Sequence, residues 1–274
     1  MPTFIHDGIT FNYFDSGRGL PFVFQHGLGG DLKQPTGLYT PVDGVHLLSF
    51  DFRAHGATRP LGKIEGISFA SFADDLIALL DELSIRKAIV GGISMGAGVA
   101  LNCAIRYPER IKALILSRPA WMFDACPPNL AIYDMIASLI RQHESADAIA
   151  IFTQTEAYKR ILGQSPDAAQ SLVGQFQGLG AQESVVKLER MPHDAPTRSI
   201  QEIKSILAPT LVLSSRQDPI HPFEYGVQLA ELIPGTQFME LTPKSVNLEQ
   251  HARDVQNAIS AFLDTVVDKM NPGG

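Results

Sequence analysis

The strongest chemical signal in this chain is a serine set between glycines, Gly92-Ile93-Ser94-Met95-Gly96. An apolar run, residues 88–91, leads into it, and a helical pattern, residues 97–106, follows. A serine on such a strand-turn-helix corner sits where crowding demands glycine neighbours, and its hydroxyl is pushed out over the end of a sheet. A hydroxyl presented that way is a candidate nucleophile, provided a neighbouring base takes its proton. Other chemistry finds less support. The Gly27-Leu28-Gly29-Gly30 loop is not followed by Lys-Ser/Thr, and G-x-G-x-x-G is absent, so no nucleotide site is expected. The two cysteines, Cys103 and Cys126, lack C-x-x-C or Cys/His ligand spacing, so no metal is expected.

The elements needed to hold such a serine can be read from periodicity. Residues 3–14 form two short alternating runs around Asp7-Gly8, a hairpin signal. Residues 20–25, 45–50, 87–91 and 111–117 are apolar runs of buried-strand length. Residues 69–83 carry a helical stripe of Phe72, Leu76, Leu79, Leu80 and Leu83. Alternating strands and helices predict βαβ units and a parallel sheet. The rhythm breaks over residues 121–200, where helical patterns at 132–141, 146–152 and 165–176 are punctuated by Pro127, Pro128, Gly163, Pro166, Gly178 and Gly180. It resumes with a strand at 210–214, a helix at 224–232, a strand at 237–241 and a last helix at 254–267; the tail from Met270 is expected to fray. The reading is one α/β core, residues 1–120 and 201–274, with a helical cap, 121–200, inserted into it.

Composition narrows the function. With 22 basic and 29 acidic residues among 274 and no basic run, nucleic acid and anionic membranes are not expected partners. No apolar run reaches the ~18 residues that span a bilayer. Residues 1–7 lack a basic segment followed by an apolar one, and two scattered cysteines fit a reducing compartment, so a cytoplasmic protein is expected. Oligomeric state is not legible.

Taken in order, several marks resemble the α/β-hydrolase superfamily. They are His26-Gly27 after the third strand, Asp51-x-Arg53-x-His55-Gly56 after the fourth and Gly92-x-Ser94-x-Gly96 after the fifth. Ser215-Arg216-Gln217-Asp218-Pro219-Ile220 and Glu249 before the final helix complete the set. The resemblance covers nearly the whole chain. It implies an eight-stranded, mostly parallel sheet flanked by helices, Ser94 as nucleophile, Asp218 as the acid, and the backbone amides of Leu28 and Met95 as an oxyanion hole. His26 and His55 would shape loops. The implied activity is hydrolysis of a small carboxylic ester, lactone or related carbonyl compound through an acyl-enzyme, with a small-molecule substrate and no cofactor. The alternatives are a non-hydrolytic ligand-binding relative, a C–C hydrolase, an acyltransferase and a haloperoxidase-like enzyme. Phe152, Tyr158 and Phe176 point to an apolar acyl or ring group, and Trp121, Met122 and Phe123 either line the pocket or pack the cap.

The chain departs from that family at the base. The turn where the histidine is expected holds Lys244, and the text runs Pro243-Lys244-Ser245-Val246-Asn247-Leu248-Glu249-Gln250-His251. His251 is the first candidate base, reached through an irregular 246–250 loop, because imidazole titrates near neutral pH. Lys244 would need to be neutral to serve, and a nearby Asp218 would oppose that, favouring a charged partner instead. His221, three residues past Asp218, and His193, at the end of the cap, stay open.

Overall fold

A computed structural model describes residues 1–177 and 180–270, so Gly178 and the tail beyond Met270 lie outside the described residues. Eight strands form one sheet. They are β1 (Thr3–His6), β2 (Ile9–Asp15), β3 (Leu20–Gln25), β4 (Val45–Phe50), β5 (Ala88–Ile93), β6 (Ile111–Ser117), β7 (Thr210–Ser214) and β8 (Gln237–Glu240). The spatial order is β1-β2-β4-β3-β5-β6-β7-β8. Only the β1/β2 and β2/β4 pairs are antiparallel. The β1–β2 hairpin turns on Asp7 and Gly8, with φ of 51° and 73°. Both residues are left-handed, as the turn that matches strand twist requires.

The central strands are apolar throughout because both faces are covered. Phe22, Phe24, Ile89, Ile93, Ala113 and Ile115 pack on one face with Val255, Ile259 and Phe262 of the last helix. Val23, Val90, Leu114 and Leu116 pack on the other with Phe72, Leu76, Val99 and Leu101. The helices there are α2 (Phe69–Glu82) and α3 (Met95–Arg106), whereas α1 (Lys33–Leu38) lies on the first face beside the last helix. Between β6 and β7 run α4 (Ile132–Gln142), α5 (Ser145–Gln154), α6 (Glu156–Gln164), α7 (Pro166–Gly174), α8 (Ala181–Ser184), α9 (Val186–Arg190) and α10 (Ile200–Lys204), with no strand among the described residues. α11 (Phe223–Leu232) and α12 (Leu248–Met270) complete the chain.

The helices differ from the sequence reading in several places, α1, α8, α9 and α10 being unexpected. Helix α6 was not expected, because only Ile161 of its nine residues is buried and no apolar stripe marks it. Its start is set instead by Thr155, whose side chain accepts from the Tyr158 amide. Helix α12 begins at Leu248, not at Asp254. Asn247 caps it, its Oδ1 accepting from the Gln250 amide at 2.9 Å. Among the described residues no helix is long and apolar enough to cross a membrane.

Parallel pairing decides where chemistry can gather. β3 and β5 are neighbours, with Gln25 opposite Gly92, and β5 pairs β6, which pairs β7. The segments leaving the carboxyl ends of these four strands therefore share one edge, the usual binding edge of an open α/β sheet.

Candidate active site

Ser94 is the corner residue between β5 and α3, with φ 56° and ψ −111°. A non-glycine side chain there is strained and persists only where its surroundings enforce it. The enforcement is visible. The Ser94 amide donates to the Ser117 carbonyl at 2.9 Å, and the Ser94 carbonyl accepts from the Gly98 amide at 3.2 Å. A Cβ on Gly92 would collide with the Gly96 backbone, and one on Gly96 would lie 2.6 Å from the Gln25 carbonyl oxygen and 2.7 Å from that of His26. Ser94 is buried, and its hydroxyl has no hydrogen-bond partner among the described residues.

The loop after β3 lies against this corner. A Cβ on Gly27 would stand 3.3 Å from the Ser94 Cβ. The Gly27 amide donates to Gln34 Oε1 at 2.7 Å, and the Gly30 amide closes the turn on the Gly27 carbonyl. His26 accepts from the Phe52 amide at Nε2, so its Nδ1–H donates to the Gly27 carbonyl at 2.8 Å. Burial holds its pKa at about 4, hence the ring is neutral. The His55 ring lies between the carbonyls of Arg53 and Leu28 and is also held neutral by burial. Asp51 accepts from the Leu32 and Ala57 amides. These groups are spent on holding the loop. The amides of Leu28 and Met95 have no partner among the described residues, and the Met95 amide opens α3, where the helix dipole favours negative charge.

The acid side is built after β6 and β7. Asp218 Oδ2 accepts from His221 Nδ1 at 2.9 Å and from Arg118 Nη1 at 3.2 Å, while Oδ1 accepts from the amides of Ile220 and His221. Burial pushes the Asp218 carboxyl up, but His221, Arg118 and the amide bonds outweigh it and hold it well below the usual carboxylate range. Burial lowers His221, and Arg118 adds to this against the pull of Asp218. The result is an ionised carboxylate beside a neutral imidazole that donates from Nδ1. Nε2 of His221 has no hydrogen-bond partner among the described residues. Arg118 is itself in the left-handed region, φ 48°, pinned by its amide to the Leu213 carbonyl at 2.7 Å.

A cavity of about 80 Å³ opens here, lined by Gln34, Arg118, Tyr133, Asp218, His221 and Lys244, among others. Lys244 is lowered to about 8, first by the charge of Arg118 and then by burial. The lining is thus largely polar, with Arg118, Arg216 and Lys244 set against Asp167 and Asp218. Phe152, Tyr158 and Phe176, expected to supply an apolar pocket, pack on one another at ring separations of 5.2 and 5.3 Å. Trp121 packs edge-on against Phe69 at 5.3 Å, inside the core.

His251, the first candidate base, is buried close to Arg118, Lys244 and Asp218, and its Nε2 has no hydrogen-bond partner among the described residues. The 248–251 stretch is helical, so no irregular loop folds His251 back. Its Nδ1–H donates to the Thr242 carbonyl at 2.8 Å, and nothing bonds it to Asp218 or Ser94 among the described residues. Burial, with the charge of Arg118, lowers it to about 4. The histidine paired with Asp218 is His221. The sequence did contain a signal for this, since a histidine three residues past an aspartate can turn back on its carboxylate. His193 is turned elsewhere, toward Asp134.

Comparison with known proteins adds the family context. Residues 21–245 match the sequence profile of a family described as the alpha/beta hydrolase fold. The AB hydrolase superfamily protein YisY of Bacillus subtilis is 28% identical over 248 residues, covering 82% of this chain and 87% of its own. The 2-hydroxy-6-oxo-2,4-heptadienoate hydrolase of Pseudomonas putida is 27% identical over 239 residues, covering 84% and 83%. Among solved structures, a thermophilic esterase from Thermogutta terrifontis superposes with a TM-score of 0.72 at 24% identity, covering 94% of both chains.

Proposed function

The chain belongs to the alpha/beta hydrolase fold family, and from that premise we propose that it is a serine hydrolase of a small carbonyl compound bearing a carboxylate. The observation that carries the reading is the hydrogen bond from His221 Nδ1 to Asp218 Oδ2, in the segment that leaves β7 at the sheet edge where Ser94 follows β5.

In this mechanism Nε2 of His221 takes the Ser94 proton as Oγ attacks the carbonyl carbon. Asp218 keeps the ring proton on Nδ1 and offsets the imidazolium charge. The amides of Leu28 and Met95 donate to the oxyanion, a contribution of about 3 kcal/mol per donor. The imidazolium then protonates the leaving group, giving an acyl-enzyme that water cleaves by the same route. Arg118 and Lys244 supply positive charge that suits a substrate carboxylate. The carboxylate in the name of the Pseudomonas relative's substrate agrees with that assignment. An ester, a lactone or a carbon–carbon bond beside a ketone would all meet the same machinery.

Residues 121–200 act as a cap in this reading. Tyr133, Ser165 and Leu172 of that segment line the cavity, and Gln175 lies against Gly29 of the oxyanion loop. A second reading, ligand binding without hydrolysis, draws on the free Ser94 hydroxyl and on Lys244 at the turn where a histidine is expected. One experiment separates the two. A fluorophosphonate should label Ser94, and a panel of esters, lactones and vinylogous diketones with and without a carboxylate should reveal turnover that Ser94→Ala abolishes. No labelling and no turnover across the panel would leave only the binding reading.

A further inference from the structure

Apart from the Asp218–His221 pair, three side chains of the segment between β6 and β7 are strung together. Cys126 lies just before α4, His193 follows α9, and Asp134 is in the first turn of α4. Cys126 Sγ is 2.8 Å from His193 Nδ1, and His193 Nε2 is 2.7 Å from Asp134 Oδ1. The backbone fixes the approach. Cys126 is held at φ 58°, and its amide donates to the Pro192 carbonyl at 2.8 Å, locking the cysteine loop to the residue before His193. A non-glycine residue in the left-handed region needs such over-determination.

Hydrogen-bond complementarity assigns the protons. A carboxylate only accepts, so His193 carries its hydrogen on Nε2 and donates it to Asp134. Nδ1 then presents a lone pair to sulfur, and the thiol donates. This is the arrangement in which an imidazole takes a thiol proton while a carboxylate holds the ring and offsets its charge. The group is open to reagents, since Cys126 is exposed and the side chains of His193 and Asp134 are 45% and 53% exposed. The other cysteine is its opposite. Cys103 is buried, its thiol faces the Ala73 carbonyl, and burial pushes it far up.

We propose that Cys126, activated by His193 and positioned by Asp134, is a second nucleophile of this protein and a site of modification by hydroperoxides. Sulfur attacks the terminal oxygen of the hydroperoxide, an S–O bond forms and the O–O bond breaks. The departing oxygen takes the proton held on His193 and leaves as an alcohol or water. The thiol is oxidised by two electrons to a sulfenic acid as the peroxide is reduced.

The test is oxidation of the full chain with hydrogen peroxide in the presence of dimedone, followed by intact mass and peptide mapping. One adduct is expected, on Cys126, with Cys103 untouched. At pH 6.5 the rate should fall about tenfold in His193→Ala, allowing for the lower nucleophilicity of an activated thiolate. The advantage of wild type over His193→Ala should shrink as the pH is raised from 6.5 to 9, because hydroxide then ionises an unassisted thiol as well. Asp134→Asn should slow the reaction several-fold and steepen its pH dependence, because an amide can donate to Nε2 and move the ring proton onto Nδ1. His193→Gln, close in size, gives the same readout if the alanine variant is unfolded by urea too easily. An adduct on Cys103, no adduct at all, or a Cys126 rate and pH profile unchanged by both His193 variants would overturn the proposal.

Discussion

The corner after β5 and the turn after β8 solve the same problem, placing one reactive side chain, by opposite means. At Ser94 every constraint is within a few residues or in the adjoining strand. Gly92 and Gly96 leave room, and the Ser94 amide and carbonyl are both bonded. The turn holding Lys244 leaves β8, an edge strand whose four residues are all exposed, and ends at a cap, Asn247, on the next helix. The turn is held by its own hydrogen bonds, among them the Val246 and Asn247 amides to the Pro243 carbonyl, but none of the hydrogen bonds among the described residues fixes the Lys244 side chain. A nucleophile written into a strained corner is hard to move, whereas a base carried on such a turn can be supplied from another strand end. In the proposed mechanism β7 supplies it, because Asp218 is already fixed and His221 lies three residues beyond.

The comparison can be broken first at the serine. Ser94→Ala should lower kcat on any substrate found by about 10⁵-fold or more, with fluorophosphonate labelling lost. Retained turnover would detach the corner from the chemistry. Next comes the base. His221→Ala should lower kcat by about 10³-fold, while His251→Gln should leave kcat within a few-fold of wild type. The reverse result would restore the β8 turn as the source of the base.

The corner's rigidity predicts a stability effect. Gly96→Ala places a methyl against the backbone carbonyls of Gln25, at the end of β3, and His26, and should cost about 3 kcal/mol in urea unfolding. Lys244→Ala, on the turn after β8, should cost less than about 1 kcal/mol. A similar loss at both positions would erase the contrast.

His26 and His251 are held at about 4 against an ordinary 6.5. The unfolded chain takes up these protons below pH 6.5 and the folded chain does not until about 4. Stability from this source is therefore complete above pH 6.5 and is lost as pH falls toward 4, by about 3 kcal/mol per histidine. Urea midpoints from pH 7 to 4.5 test this, and His251→Gln should flatten the curve. The smallest effect concerns Lys244, held at about 8. If it attracts a substrate carboxylate, KM should rise several-fold as pH passes from 7 to 9. Lys244→Met should remove that rise and leave the pH profile of kcat unchanged.

Much of this molecule was legible as a linear string. Strands buried on both faces read as continuous apolar runs, and Gly-x-Ser-x-Gly after such a run describes a local backbone corner without any distant contact. Asp218 stood out by its place after a late strand. What the string determined was therefore whatever depends on near neighbours: strand and helix periods, the corner, the glycine loop, and a stretch from β6 to β7 without strands. The partner of Asp218 depends on where α12 begins and on which ring can reach a carboxylate. The cavity joins residues of α1, α4, the β6 and β7 ends and the β8 turn. The contact of Cys126 with His193 spans 67 residues. Side-chain geometry across such separations is set by packing of whole elements, which residue spacing does not encode, so only the tertiary structure decided it.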